Sequence, residues 1–276
     1  MVADEYLPQT LKLMATRELI PYLELIAAAR RQYVIERKSQ TPIEAVRALA
    51  SMQKRPLPVL TTVPTHEQAP VMLIAQVRVA AGDGAELESL AQHLMMAGAD
   101  ALSLFTDEGL QPHGLDDLVA LTRAVNLPII SQDVFVDEYQ IVEARAAGAS
   151  ALVLRASTME NDLLRTLVST TQRNRMTAVV EVNSFEEVAY AQSLSPYVIA
   201  ISQIDAWTGE ASEISAADLR TAITGTTRVI LAESLATLDD VQSAVDLQVD
   251  AVIVEPDFLL NPLHRKDLHH LLRRSP

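Results

Sequence analysis

The sequence contains no cysteine. This absence excludes disulfide bonds, thiolate nucleophiles and metal sites built on cysteine. The chain also has no apolar run of the roughly 18 residues that a membrane-spanning helix needs. Its first residues, Met1 to Tyr6, lack the basic region and apolar core of a secretion signal. We therefore expect a cytoplasmic protein that has no membrane partner.

The sequence is also short of positive charge. It has 22 lysines and arginines against 36 aspartates and glutamates, which gives a net charge of −14 at neutral pH. Such a field repels phosphate backbones, so we expect no nucleic-acid partner and no other polyanionic partner. It also weighs mildly against a phosphorylated substrate, unless a local positive pocket overrides the global charge.

The residues that are present predict a barrel. Val71–Arg78 is an apolar run of strand length that is interrupted only by Gln76 and Arg78. A run that is apolar at nearly every position is typical of a parallel strand covered by helices. Because strand side chains alternate, Gln76 and Arg78 leave the same face near the carboxyl end of the strand. In a closed parallel barrel that face is the interior, and that end is where active sites lie.

Similar runs recur along the rest of the chain, separated by helical patterns at intervals of roughly 20–30 residues. The eight predicted strands are Val71–Arg78, Ala101–Phe105, Pro128–Val134, Ala151–Leu154, Thr177–Val182, Val198–Ile201, Arg228–Ala232 and Ala251–Val254. With 276 residues and 49% apolar content, the chain is large enough for one barrel and an extension. We predict an α/β fold, a (β/α)₈ TIM barrel. An open doubly wound sheet is the alternative if one strand is misassigned.

The junctions before three strands resemble one another. Ala97–Ala101 and Ala147–Ala151 each place a glycine, Gly98 and Gly148, where a helix end favours a positive φ. In the corresponding stretch Leu247–Ala251 we interpret Val249 as the replacement of that glycine, at a cost in backbone freedom.

Residues 1–70 differ from the repeating region. One helical pattern runs from Leu11 to Ile26 and is broken near Pro21. A second begins at Ile43, with Thr41 as the N-cap and Pro42 at the first helical position. These segments are too short to bury a core of their own. We therefore predict that residues 1–70 are an N-terminal helical extension packed on a barrel of residues 71–276, within a single domain.

Polar residues follow most of the predicted strands. They are Gln76 and Arg78; Thr106, Asp107 and Glu108; Gln132 and Asp133; Arg155; Glu181 and Asn183; Ser202 and Gln203; Glu233 and Ser234; Glu255 and Asp257. Taken singly, each is consistent with a solvated strand end. Taken together, they line whatever pocket the carboxyl end of the barrel contains, and we expect a small-molecule ligand there.

Four stretches have a more specific pattern. They are Ser103–Glu108, the run Asp133–Ala149, Val180–Val182 and Ala232–Ser234. In these stretches, and in register over about residues 70–260, the sequence resembles the indole-3-glycerol phosphate synthase family. The resemblance implies a TIM barrel with a helical N-terminal extension and a carboxy-lyase reaction in tryptophan biosynthesis. In that reaction an anthranilate-linked deoxyribulose phosphate closes its ring with loss of CO₂ and water. The reaction needs no metal and no cofactor.

The resemblance assigns catalytic positions to Gln76, Arg78, Gln132 and Glu181, but only Glu181 is the residue that the family has. Gln76 replaces a glutamate, and Arg78 and Gln132 replace lysines. Arginine does not release a proton near neutral pH, so it binds anions but is a poor general acid or base.

The substrate-binding positions are also altered. The resemblance places Ser202, Glu233, Ser234, Asp133, Glu255 and Asp257 around the substrate. Glu233 and Ser234 are retained, but Leu235 replaces a glycine, and Glu255-Pro256-Asp257 replaces a Gly-x-Ser pattern. Pro256 removes an N–H donor, and a carboxylate about 4 Å from a phosphate costs several kcal/mol. We expect the phosphate site to be dismantled.

Three functions follow from these features. The first is an active synthase that tolerates the changes, and the second is a catalytically silent relative with a binding or interaction role. The third is a repurposed barrel that binds a non-phosphorylated ligand, such as a cationic small molecule. Its acidic ring would consist of Asp133, Glu181, Glu233, Glu255 and Asp257, with Arg78 as the cation. The alternative to this third function is that Arg78 only forms an ion pair with Glu181 or Glu233. The histidine spacings predict no metal site.

Overall fold

The computed structural model describes residues 19–60, 71–77, 84–106, 113–204 and 211–272. Eight parallel strands pair in chain order, and the first pairs with the last, so the sheet is a closed barrel. The strands are β1 (Met72–Val77), β2 (Ala101–Phe105), β3 (Ile129–Gln132), β4 (Ala151–Arg155), β5 (Thr177–Val182), β6 (Val198–Ile201), β7 (Arg228–Leu235) and β8 (Ala251–Val254). The predicted TIM barrel with an N-terminal helix is confirmed.

Helices precede the barrel and follow its strands. They are α1 (Leu19–Gln40), α2 (Ile43–Met52), α3 (Gly84–Ala97), α4 (Gly114–Ala124), α5 (Glu138–Ala147), α6 (Asn161–Arg173), α7 (Phe185–Ser193), α8 (Ala216–Ala222), α9 (Leu238–Asp246), α10 (Pro256–Leu260) and α11 (Arg265–Leu271). None of the helices in the described ranges has the length and apolar character that crossing a lipid bilayer requires.

Strand β7 is longer than predicted. The apolar pattern ends at Ala232, but the strand continues to Leu235. Its pairing with β8 shifts between Leu231 and Ser234, which is the signature of a β-bulge. The bulge therefore lies beside Glu233 and Ser234, two of the predicted site residues.

The barrel interior is filled by small and branched apolar side chains. This interior cluster includes Ile74, Ala101, Ile130, Ala151, Val153, Val179, Val198, Ala200, Ile230, Ala251 and Ile253. Val59 and Leu60, which follow α2, belong to the same cluster and are almost fully buried. The residues just before them, Arg55 to Pro58, line a cavity with Thr177, the first residue of β5, and with Tyr197, which precedes β6. The segment that carries Val59 and Leu60 therefore reaches the amino end of the barrel. A larger apolar cluster lies between the strands and the surrounding helices.

The predicted junction glycines adopt a positive φ, +104° at Gly98 and +100° at Gly148. The interpretation of the third junction is wrong by one residue. Gln248 has the positive φ, +56°, because it stands in the sequence position of the two glycines. Val249 is instead fully buried.

The helical extension differs from the prediction at Pro21 and at the start of α2. The part of the predicted first helix before Leu19 lies outside the described residues. From Leu19, α1 continues through Pro21, which lies within its first turn, where the missing N–H is tolerated. The N-cap of α2 is Pro42 and not Thr41. Thr41 has a different role, because its carbonyl accepts a hydrogen bond from the Tyr139 hydroxyl at 2.8 Å.

The extension contacts the barrel chiefly through α5. Arg37 of α1 is 2.7 Å from the Glu143 carboxylate, and Lys38 is 2.7 Å from that of Asp137. Beyond α2, Arg145 donates hydrogen bonds to the carbonyls of Gln53 and Lys54. The proposed boundary at residue 70 lies outside the described residues, so the division into extension and barrel at that point stays a prediction.

Candidate functional site

The carboxyl ends of the strands place most of the predicted site residues around one mouth. Gln76 lies on β1, Gln132 on β3 and Glu181 on β5, while Glu233 and Ser234 lie on β7. Asp133, Ser202 and Glu255 each directly follow a strand. Arg78 lies outside the described residues, so its predicted pairing with Glu181 or Glu233 stays a prediction.

The two glutamines to which the resemblance assigns catalytic positions are bonded to each other. The Gln132 Nε2 atom donates to Gln76 Oε1 at 3.1 Å and to Ser103 Oγ at 2.7 Å. Gln76 Nε2 in turn donates to the Ser103 carbonyl at 3.2 Å. Both glutamines are buried. Their amides therefore satisfy one another at positions where the resemblance implies charged groups.

Arg155 extends this network to Glu181. Its Nε atom donates to Glu181 Oε1 at 2.9 Å, and its Nη2 atom donates to Gln132 Oε1 at 3.1 Å. Sequence reasoning placed Arg155 at a strand end but missed its partners. The strand register carries the missing information, because Arg155 on β4 stands opposite Glu181 on β5.

Asp133 is bound by the N-terminal extension. Arg30 Nη2 donates to both carboxylate oxygens of Asp133 at 2.6 Å, and Arg30 Nε donates to Oδ1 at 3.1 Å. The two side chains are only 9% and 6% exposed. The structure thus brings α1 to the carboxyl end of β3, and a predicted ligand-binding carboxylate is already neutralised by the chain itself. Arg30 was missed in the sequence, where it reads as an ordinary helix-surface arginine.

Glu233 is less completely satisfied. Its Oε1 atom accepts hydrogen bonds from Ser202 Oγ at 3.2 Å and from the Gln203 N–H. Its Oε2 atom, like Ser234 Oγ, is buried without a hydrogen-bond partner among the described residues. Burial raises the pKa of Glu233, and the negative charge of Glu181 adds to this effect, whereas the bonds from Gln203 and Ser202 oppose it.

The residues after β8 offer little to an anion. The N–H of Glu255 donates to the Leu235 carbonyl at 2.9 Å, and Pro256, the first residue of α10, has no N–H. Asp257 is exposed in the first turn of this short helix. At the positions where the resemblance implies a Gly-x-Ser pattern, the N–H of Glu255 is therefore already bonded and Pro256 has none.

Two of the five carboxylates in the acidic ring of the third hypothesis are neutralised by arginines of the chain. Asp133 pairs with Arg30, and Glu181 pairs with Arg155. Within the described parts of the chain, no group of three or more histidines and carboxylates is arranged to hold a metal ion. The mouth thus combines a mutually bonded polar network with three carboxyl groups, those of Glu233, Glu255 and Asp257, that form no ion pair with a described residue.

Comparison with solved structures shows a shared fold. The 3-hexulose-6-phosphate synthase of Salmonella typhimurium superposes with a TM-score of 0.59 at 13% identity, over 73% of this chain and 98% of that one. The N-acetylmannosamine-6-phosphate 2-epimerase of Clostridium perfringens gives a TM-score of 0.55 at 15% identity, over 73% and 93%.

Sequence comparison is more specific. The family model described as indole-3-glycerol phosphate synthase matches residues 23–271. The indole-3-glycerol phosphate synthase of Mycolicibacterium gilvum is 33% identical over 187 residues, which cover 65% of this chain and 67% of the relative. That of Kineococcus radiotolerans is 32% identical over 205 residues, which cover 71% and 75%.

Proposed function

Because the chain belongs to the indole-3-glycerol phosphate synthase family of tryptophan biosynthesis, we propose that it is a member that has lost ring closure and acts as a binding or interaction protein. The observation that carries this proposal is the network of Gln76, Gln132, Arg155 and Glu181.

Ring closure needs a group that gives a proton to the ketone and to the leaving hydroxyl. The resemblance assigns this work to lysines at positions 78 and 132, where this chain has arginine and glutamine. A glutamine amide has no proton to transfer near neutral pH, and an arginine does not release one. Both polar atoms of the Gln132 side chain are also bonded within the protein. Glu181 is retained, but its Oε1 atom is held by Arg155.

Substrate binding is weakened for a separate reason. The substrate that the resemblance implies carries a phosphate, which glycine-rich backbone accommodates in barrels of this kind. Here Leu235 is buried at the glycine position, and Glu255 and Asp257 bring negative charge to the next strand end. These substitutions support loss of phosphate binding together with loss of the proton donors.

An activity assay tests the proposal. The purified protein is incubated at high concentration with the anthranilate-linked deoxyribulose phosphate, and indole fluorescence is followed, with the Kineococcus relative as the positive control. We expect no signal above buffer. The retained Glu181, Glu233 and Ser234 favour an active synthase as the second candidate, and measurable turnover would establish that candidate instead.

A variant that restores four of the residues implied by the resemblance gives a sharper test. We expect the quadruple variant R78K/Q132K/L235G/E255G to remain inactive, because Pro256 and Asp257 are unchanged. A lysine at position 132 would also face the Arg155 guanidinium, which now donates to the Gln132 amide. Activity in this variant would mean that only the proton donors and the glycines had been lost.

A further inference from the structure

A second concave site lies outside the barrel. It is a groove of about 1230 Å³ between α2, α5 and α6. Each helix contributes one stripe of residues, such as Ile43, Arg47 and Ala50 from α2. None of the predicted mouth residues lines this groove. It is therefore a separate feature of the surface, and we call it the basic groove because of its charge.

The charge of the basic groove is opposite to that of the whole molecule. Its lining contains six cations, Lys38, Arg47, Arg55, Arg145, Arg173 and Arg175, against three carboxylates, Glu44, Asp137 and Glu138. Lys38 is paired with Asp137 at 2.7 Å, and Arg173 with Glu138 at 3.3 Å. The other four cations, Arg47, Arg55, Arg145 and Arg175, make no ion pair with any described residue.

Two of the unpaired guanidinium groups interact unfavourably. Arg145 is buried, and its Nη2 atom is held by the carbonyls of Gln53 and Lys54 at 3.2 and 2.7 Å. Burial lowers the pKa of Arg145, and the positive charge of Arg175 lowers it further. Basic residues are common in the last turn of a helix, which explains Arg145 on α5. That preference does not explain Arg55, which lies beyond α2.

The basic groove continues into a neighbouring cavity. This cavity, of about 740 Å³, shares Arg55 and Arg175 with the groove and is otherwise lined largely by apolar side chains such as Leu57, Met176 and Tyr197. Small-molecule pockets typically enclose about 300–1,000 Å³. An open channel larger than this, with cations spread along it, fits an extended chain better than a compact ligand.

We propose that the basic groove docks an extended acidic peptide segment of a protein partner. Guanidinium groups bind carboxylates in a bidentate manner and are enriched in protein interfaces. A short peptide contacts only the groove, whereas a nucleic acid would extend over a surface that carries the net charge of −14. The global charge argues against polyanions in general, but here it is locally reversed. This inference does not depend on whether the barrel mouth is active.

Fluorescence anisotropy tests the proposal with a labelled peptide of about eight residues, rich in glutamate and aspartate and with one central leucine. We expect saturable binding at about 50 mM salt that weakens at about 300 mM, because the contacts are screened. The variant R47E/R175E is expected to lose at least about tenfold in affinity, which corresponds to about 1.4 kcal/mol. The variant R47Q/R175Q, which removes charge without reversing it, should lose less.

The matched control is R31E/R123E. Arg31 and Arg123 are exposed and lie outside the groove, and this variant changes the net charge by the same amount. We expect it to change affinity by less than about twofold. Thermal unfolding checks that all variants are folded.

Several results would overturn the proposal. They are absence of peptide binding at low salt, an equal loss in R31E/R123E and R47E/R175E, or tighter binding of inorganic tripolyphosphate than of the peptide. Tighter binding of a single-stranded oligonucleotide would overturn it as well, since the groove would then recognise phosphates.

Discussion

Glu233 is the residue that the resemblance implies at this position, and its carboxyl group is only partly hydrogen-bonded. One oxygen accepts two hydrogen bonds, while the other is buried without a partner among the described residues. Because burial raises the pKa of its carboxyl group, the folded state binds the proton more tightly than the unfolded state does. The resulting stabilisation is full below the pKa of an unfolded glutamate and is lost as pH rises through the folded value.

The substitution Glu233→Gln isolates this effect. The glutamine keeps an acceptor for the Gln203 N–H and carries no charge at any pH. We expect the melting temperature to match that of the wild type near pH 4 and to exceed it by about 2–4 °C at pH 8, for a difference near 1 kcal/mol. Calorimetry across this range measures it. The exposed Glu88→Gln variant is the control, and a lower melting temperature of Glu233→Gln at pH 8 would show that the charge is stabilising.

Individual residues also show where the sequence stops being informative. Position at the carboxyl ends of the predicted strands was enough to place Gln76, Gln132 and Glu181 at one mouth. It did not identify Arg155 as the partner of Glu181, because that requires the register between β4 and β5. It did not identify Arg30 either, because 103 residues separate Arg30 from Asp133 and their contact depends on how α1 docks.

The junctions between helices and strands show the same limit at the level of elements. Glycine at positions 98 and 148 predicted a positive φ correctly, whereas Gln248 adopts it without any compositional sign. The end of β7 was missed because Glu233 and Ser234 break the apolar pattern, although the strand continues through a bulge. Helix and strand ends were thus predictable where the residue type matches the backbone conformation, as at the two glycines. They were not predictable where polar site residues interrupt an apolar strand pattern.

Alanine substitutions at Gly98 and Gly148 test what a side chain costs at these junctions. Both have a φ near +100°, so alanine at either position costs roughly 1 kcal/mol in the backbone. At Gly148 the added Cβ would also lie 2.9 Å from Thr122 Cγ2, whereas at Gly98 nothing lies within 4 Å. We expect Gly148→Ala to lower the melting temperature more than Gly98→Ala does. Equal losses would mean that Thr122 moves aside without cost.

The whole molecule is held together at both ends by the residues before the barrel. Arg30 reaches Asp133 at the carboxyl end of β3, and the buried segment that carries Val59 and Leu60 reaches the amino end. The extension therefore spans the length of the barrel. Its removal would take the Arg30 ion pair from the buried Asp133 carboxylate at one end and expose apolar surface at the other.

The substitution Leu60→Ala tests the contact at the amino end of the barrel. The side chain is 1% exposed, so we expect Leu60→Ala to reduce the free energy of unfolding by about 2–5 kcal/mol. Urea denaturation gives this value directly. Leu49→Ala is the control, because Leu49 is 54% exposed and alanine suits its helix. A loss below about 1 kcal/mol at position 60 would mean that the barrel floor closes without this side chain.

The span between Arg30 and Asp133 also matters during translation. Helix α1 leaves the ribosome early, but the carboxylate that it binds is encoded 103 residues later. At a synthesis rate of about 5–20 residues per second, this is a delay of roughly 5–20 s. Throughout that interval Arg30 lacks its native ion pair with Asp133, so chaperones have access to this helix before the mouth of the barrel forms.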